Sequence, residues 1–331
     1  MRILISTGIY PPQIGGPAQY AFNLKKSFES MGHTVTVKTF GIEHKLPTGI
    51  RHIFYFIKIL PSVLLSNKIV VLDTFSAGFP TVLLAKIFGR ETLLRTGGDF
   101  LWERYTERNK KKVLFKDFYN TERQYFSLYE KIIFWVTKFT LKNASRVIFS
   151  TSWQMNIFSN AYDLEPRRLR IIENFYGVKE VSSEPSSRTF LASTRKLVWK
   201  NLDMVKKAFD RVRDSYRDAD VFLDELPYES FLNKMKESYA VVLLSLGDIS
   251  PNMILDAMRL NKPFICTKEN GLMDRIAGVG VYVDPLNEEE IIEVIKYLLI
   301  PENYKKEKQK IESFNFTHTW DEIAKEFLQI Q

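Results

Sequence analysis

With 331 residues, 45% of them hydrophobic and 26% charged, the chain is long enough for two ordinary domains and too apolar to be disordered throughout. Its formal net charge of +8 points to an anionic partner, a role that nucleic acid, a membrane surface or a phosphorylated small molecule would each fill. The one cysteine, Cys266, excludes an internal disulfide and fits a reducing compartment; in the apolar run Pro263 to Thr267 it reads as a buried structural thiol.

Strand and helix signals alternate from the start, the pattern of βα units on a parallel sheet. Arg2 leads straight into a strand-like run, Ile3 to Ser6, and not into a long apolar stretch with a small-residue cleavage site, which predicts no secretory signal. Tyr20, Leu24 and Phe28 give Ala18 to Ser30 a helical spacing; Gly32 ends that helix, and Thr34 to Thr39 alternates as a second strand. Ile50 to Leu72 is the one candidate for a membrane span. Lys58, Pro61, Asn67 and Lys68 interrupt it, so no apolar run reaches the roughly 20 residues a span needs. It reads instead as a helix from Arg51 to about Leu65, apolar enough to touch a bilayer, and a strand from Ile69 to Leu72.

A helix from about Ala77 to Ile87 and a strand from Thr92 to Arg95 follow, then a long helical region to about Asn143 and a strand from Arg146 to Ser150. Between Arg104 and Arg146 basic residues, among them Lys110, Lys111, Lys112, Lys131 and Lys138, alternate with aromatics such as Phe115, Tyr125 and Trp135. That mixture suits a lipid headgroup surface or single-stranded nucleic acid, and equally a solvated helix face over an aromatic core.

After a helix near Trp153 to Tyr162 and a strand from Leu169 to Ile172, the segment Val178 to Arg188 is rich in Ser, Glu, Lys and Pro and reads as a linker. Alternation then resumes with strands at Phe190 to Ser193, Ala219 to Leu223, Ala240 to Leu244, Pro263 to Cys266 and Gly280 to Val283. The helices between and after them are Leu202 to Tyr216, Glu229 to Ser238, Asn252 to Leu260 and Glu288 to Leu299, and the amphipathic stretch Thr319 to Ile330 closes the chain. The fold class is α/β, with two doubly wound domains facing a cleft: residues 1–177 and residues 178–315.

The chemistry concentrates at Ser245 to Asp256. A buried strand there feeds a short helix, with Ser250 as the expected N-cap and Pro251 at the first helical position. The first amides of such a helix have no internal partner and carry partial positive charge, which favours phosphate. Asp248 lies just before the cap and Asp256 about one and a half turns inside. Taken alone, the pair is equally an N-terminal acid favoured by the helix dipole and an ordinary exposed Asp. Gly15-Gly16-Pro17 falls between the first strand and first helix, where turn amides approach a ligand, although the dinucleotide fingerprint is incomplete.

The opening Arg2 to Tyr20, with its Tyr-Pro-Pro-Gln-Ile-Gly-Gly-Pro, and the following Met31-Gly-His-Thr-Val-Thr-Val resemble the start of retaining glycosyltransferases of the GT-B fold, family 4 type. So do Ser150-Thr-Ser-Trp, Ile171 to Val178, and Phe264 to Asp274, and Thr317 to Ala324 resembles that family's last helix, which crosses back over the first domain; residues 316–331 would form it. The family's donor motif is two acids separated by seven residues, usually Glu. The matching positions are Asp248 and Asp256, each one methylene shorter, and the resemblance implies sugar hydroxyls on Asp248 and ribose on Asp256. The family's basic pair matches Arg195 and Lys200, which would neutralise the diphosphate leaving group.

The resemblance therefore implies a cytoplasmic enzyme, peripheral on the inner face of the membrane, that moves a hexose from a UDP- or GDP-sugar to a glycan or polyprenyl-linked acceptor with retention and without a metal. Donor contacts would come from Gly15, Gly16, Arg195, Lys200, Asp248, Ser250, Asn252, Met253 and Asp256. Where many relatives carry a His, this chain has Gly97-Gly98-Asp99; Asp99 could orient the acceptor hydroxyl or take its proton, or simply cap the next helix, with Glu103 a lesser candidate. The second domain reads as shortened by one βα unit between Tyr216 and Glu229. Asp218-Ala-Asp220 lacks the context of a metal-binding acid pair, and His33, His44, His52 and His318 show no ligand spacing. The alternatives are a catalytically weak scaffold that binds membrane or nucleic acid through a basic face, and a nicotinamide-dependent enzyme, which the missing glycine disfavours.

Overall fold

A computed structural model describes residues 1–13, 15–41, 43, 46–47 and 49–330; His44 of the four histidines lies outside them. The first half contains β1 (Arg2–Thr7), α1 (Gly16–Ser30), β2 (Thr34–Thr39), α2 (Ile50–Leu65), β3 (Lys68–Val71), α3 (Gly78–Ile87), β4 (Thr92–Arg95), α4 (Phe100–Asn109), α5 (Phe118–Thr121), α6 (Leu128–Asn143), β5 (Arg146–Phe149), α7 (Ser152–Tyr162) and β6 (Leu169–Ile171). The second contains β7 (Arg188–Leu191), α8 (Leu202–Val212), β8 (Ala219–Phe222), α9 (Tyr228–Glu237), β9 (Val241–Leu243), α10 (Asn252–Arg259), β10 (Phe264–Thr267), α11 (Met273–Ile276), β11 (Val281–Val283), α12 (Glu288–Leu299), α13 (Pro301–Ser313) and α14 (Trp320–Gln329).

Two compact units result. The first comprises Met1–Leu101, Glu122–Phe175 and His318–Gln331, and the second Trp102–Thr121 and Tyr176–Thr317. Among the described residues the first holds a six-stranded sheet in the order β2-β1-β3-β4-β5-β6 and the second a five-stranded sheet in the order β11-β10-β9-β7-β8. Every pairing is parallel. In such sheets a crevice opens outside the carboxyl ends of the strands where the order reverses. The reversals fall between β1 and β3 and between β7 and β9.

One face of the first sheet is covered by α1 and α14. Tyr20, Leu24 and Phe28 of α1 share a core with Ile323, Ala324 and Phe327 of α14. Lys68 at the start of β3 donates to the carbonyls of Phe327, Leu328 and Ile330, holding the negative end of α14. His318 bonds the Asn174 carbonyl and Glu326, so the closing helix is fastened within the first unit at both ends. The second sheet has apolar cores on both faces, one with α8 and α12, the other with α10.

Three expectations are corrected. The long helical region to Asn143 is broken after Asn109, where Lys110 takes a left-handed conformation with φ 50°. Tertiary bonds override helical spacing there: Trp102 Nε1 donates to Val113 O and Phe115 N to Leu246 O. The helix after Ser250 starts one residue later than its cap signals implied, with Pro251 in the cap position, because a residue before proline is pushed toward extended backbone. The segment read as a linker is tied down, since Lys179 Nζ donates to the carbonyls of Met258 and Ile311, and Lys262 Nζ to that of Ser183.

Candidate active site

The loops leaving β7 and β9 flank the reversal point of the second sheet, and they carry Lys200 and Asp248. Lys200 Nζ lies 2.7 Å from Asp248 Oδ2, with the two side chains only 12% and 16% exposed. The ammonium also sits 4.2 Å from the centre of the Trp199 ring, a cation–π contact made stronger by partial desolvation. Backbone bonds hold these loops to each other and the second of them to the segment after β10. Leu246 N donates to Trp199 O at 2.8 Å, Asp248 N to Glu269 O at 2.9 Å, and Gly271 N to Asp248 O at 3.1 Å.

The segment Trp102–Thr121 braces this loop pair. Trp102 packs 5.4 Å from Trp199 and 5.1 Å from Phe115. Glu107 accepts from Val198 N at 2.6 Å, and Lys112 bonds Asn201 Oδ1 at 2.7 Å. Asn201, fully buried at φ 58°, turns the chain into α8 and donates to Pro285 O at 2.8 Å. Gly247, just before Asp248, has no room for a side chain: an added Cβ would stand 2.4 Å from Phe115 Cβ. Lys116 bonds Glu269, whose carboxyl is pushed up by burial and drawn back by that lysine.

Asp256 is 9% exposed on α10. Burial raises its pKa to about 6, against the pull of Arg259, whose guanidinium is 3.3 Å away, and of the Tyr228 hydroxyl at 3.3 Å. A carboxyl whose pKa is raised by burial beside a cation is a candidate for a functional role. Among the described residues Ser250 Oγ is buried without a hydrogen-bond partner, Asn252 is exposed, and Met253 is half-buried against the core. Arg195 is exposed on the loop after β7.

In the first unit, Gly15 caps α1 at φ 151° and ψ 154°, a region essentially limited to glycine, and Gly16 and Pro17 open the helix. Asp99 is buried in the loop after β4, where Thr96 Oγ1 donates to Gly98 O. Next to it Arg95 stacks 3.7 Å over the Tyr20 ring and bonds Asn174 at 2.6 Å. The acids of Asp218-Ala-Asp220 are paired with Arg188 and Arg213 at the opening end of β8, away from the carboxyl edge. Among the described residues no three His, Cys, Asp or Glu side chains gather as a metal site would require.

Sequence reasoning missed Asn201, Gly247, Tyr228 and the whole Trp102–Thr121 brace. Gly247 had a signal, a glycine between a buried strand and an acid. The brace had none, because its partners lie 89 to 153 residues away in the chain.

These features define a two-domain, doubly wound α/β protein that brings an ammonium and a carboxylate together at the reversal point of its second sheet. Its fold is of the GT-B type, shared with solved structures of glycosyltransferases and of an epimerase. WaaG, a glycosyltransferase involved in lipopolysaccharide biosynthesis, superposes with a TM-score of 0.69 at 12% identity over 98% of each chain. HepE of Anabaena in complex with UDP-glucose gives 0.65 at 15% identity over 98% of this chain and 95% of that one. A UDP-N-acetylglucosamine 2-epimerase gives 0.58 at 13% identity over 99% and 95%. At such identities the likeness establishes the fold. No protein-family model and no curated protein matches the sequence.

Proposed function

We propose that the protein is a glycosyltransferase that moves a hexose from a nucleotide diphosphate donor to a glycan or polyprenyl-linked acceptor, with retention of configuration. The observation that carries this reading is the Lys200–Asp248 pair at the reversal point of the second sheet, beside the start of α10. A nucleotide sugar offers such a site an anionic diphosphate and a ring of hydroxyls, the two groups that an ammonium and a carboxylate recognise.

Lys200 and Arg195 would neutralise charge developing on the departing diphosphate. The amides of Asn252 and Met253 and the unpartnered hydroxyl of Ser250 would donate to its oxygens. Asp248 would accept from sugar hydroxyls and Asp256 from the ribose, while the open turn at Gly15 and Gly16 would let backbone approach the donor. Asp99 would orient the acceptor hydroxyl or take its proton. The reading uses no covalent nucleophile and no metal: the acceptor attacks the face that the diphosphate leaves, and a phosphate oxygen helps remove the acceptor's proton. That HepE was solved with UDP-glucose supports a UDP-sugar, with GDP-sugars the other candidates. The reading includes a cytoplasmic site of action with an acceptor presented at the membrane.

Thermal melting with UDP, GDP and ADP, followed by a screen of nucleotide sugars for slow hydrolysis, tests this without knowledge of the acceptor. A shift with one nucleotide and release of one sugar is expected. No shift with any of them at millimolar concentration would leave the fold as a scaffold and end the enzyme reading. Epimerisation of a UDP-sugar without transfer or hydrolysis would also end it.

A further inference from the structure

Helix α2 is apolar on both its faces. Tyr55, Ile59 and Val63 are buried, while Ile50, Ile53, Phe54, Ile57, Leu64 and Leu65 are exposed, Ile53 and Ile57 to 65% each. A helix apolar all round belongs in a core or a lipid phase. This one turns its outer side to water, and at 16 residues it is too short to cross a bilayer.

The surface continues across α3 to α6. The ring of His52 on α2 is 6.3 Å from that of Phe79 on α3, Phe79 is 5.6 Å from Phe139 on α6, and Phe139 is 5.9 Å from Trp135. On α6, Leu128, Ile132 and Trp135 are spaced as one helical stripe and exposed to 77%, 49% and 62%. Ile87 and Phe88 extend the patch at the end of α3.

Charge selects the occupant. The three helices carry Arg51, Lys58, Lys86, Lys131, Lys138 and Lys142 and a single acid, Glu130, which is 1% exposed inside the cap formed with Ser127. Lys58 and Lys142 are paired with Glu43 and Asp163, and the excess is still positive. A second copy of the chain would set this positive face against itself. A bilayer with anionic headgroups complements it, because Trp, Phe and Ile enter the interface while lysine stems reach up to the phosphates.

We infer that the α2–α3–α6 face docks the protein on an anionic lipid bilayer. Phe100, 43% exposed beside Asp99, stacks 5.3 Å from the buried Phe75, which in turn lies 5.2 Å from the His52 ring, so ring contacts link α2 to the carboxyl edge of the first sheet. A polyprenyl-linked acceptor would thus reach Asp99 from the docked side, a consequence that rests on the proposed transfer; the docking itself does not. The basic run Lys110 to Lys112 belongs to the second unit, where Lys112 is engaged by Asp203 and Asn201, and takes no part.

Flotation of the full chain with phosphatidylcholine vesicles, with and without phosphatidylglycerol, tests the inference. The wild type is expected to bind the anionic vesicles about ten-fold tighter than the neutral ones. Ile53→Glu/Ile57→Glu should lower binding to the anionic vesicles about ten-fold at an unchanged melting temperature, since both side chains are already in water. Lys131→Glu/Lys138→Glu should erase the preference for phosphatidylglycerol, and Lys110→Glu/Lys111→Glu should bind as wild type. Equal flotation of wild type and Ile53→Glu/Ile57→Glu overturns the inference. So does a lipid-free dimer, seen by sedimentation, that the same variant dissociates. Donor hydrolysis assayed in the same preparations without vesicles keeps a failure of docking distinct from a failure of the transferase reading.

Discussion

Lys200 and Asp248, 48 residues apart in sequence, meet as a 2.7 Å ion pair in which neither side chain is more than 16% exposed. A phosphate binding beside this pair would have to share or take the ammonium from the carboxylate. The pair thus holds both groups in position before a ligand arrives and sets a cost for separating them.

Lys200→Ala is expected to lower transfer or hydrolysis about 10²–10³-fold, the usual effect of removing one electrostatic stabiliser of developing charge. Asp248→Asn should bind free UDP more tightly, because Lys200 no longer shares its charge, while losing turnover. Calorimetry with UDP alongside an activity assay separates the two effects. Lys200→Ala with turnover within about three-fold of wild type would remove Lys200 from the mechanism.

The Asp256 carboxyl is raised from 3.8 to about 6, chiefly by burial. A folded pKa above the unfolded one means that its favourable contribution is complete below pH 3.8 and is lost as pH rises to about 6. Above that, the ionised buried group costs about 3 kcal/mol. Asp256→Asn should therefore melt several degrees higher than wild type at pH 7.5, with the gap closing toward pH 4. If the ionised form accepts from the ribose, nucleotide affinity should rise with pH through about 6 in the wild type and stay flat in Asp256→Asn. Identical pH profiles for the two proteins would refute both statements.

Gly247→Ala should lose about 1–3 kcal/mol of stability and displace Asp248, since the new methyl meets Phe115 Cβ at 2.4 Å. Because the obstacle is a β-carbon, trimming the ring does not relieve it. Gly247→Ala/Phe115→Ala should be no more active than Gly247→Ala. Recovery of activity in that double variant would show that the close contact is not what excludes a side chain.

Trp102→Ala is expected to cost about 3–5 kcal/mol and to weaken nucleotide binding, because the indole supports Trp199 directly behind Lys200. Lys110→Ala, with a side chain 73% exposed, should be near neutral in both. Urea unfolding and UDP titration of the two variants provide the measurement. A Trp102→Ala protein that melts lower yet binds UDP normally would make the segment a packing element without influence on the site.

Much of the fold could be read locally. The strands at Ile3, Thr34 and Ile69 and the helices at Leu202, Glu288 and Thr319 announce themselves by period and caps, since alternation and 3.6-residue spacing are properties of adjacent residues. The cap at Ser250 was misplaced by one residue because proline acts on its predecessor as well as on itself. Helix α13, with its charged Lys305-Lys306-Glu307-Lys308 run, offered little apolar period and went unread. The candidate site was legible as residue types, Arg195, Lys200, Asp248 and Asp256, and not as an arrangement.

By itself, then, the sequence determined the alternating α/β architecture, the two parallel sheets and the acids and bases placed after their strands, because those depend on neighbours along the chain. Only the tertiary structure decided that Lys200 pairs with Asp248, that Asp256 is buried beside Tyr228 and Arg259, and that Trp102–Thr121 joins the second unit as its brace. It also divided the basic, aromatic stretch Arg104–Arg146, placing Lys110–Lys112 in the second unit and Lys131, Trp135 and Lys138 on α6 in the first, with the exposed apolar residues of α2 and α3. Burial and pairing are set by which distant segments come together, and their energies, unlike helix and strand period, leave no local pattern.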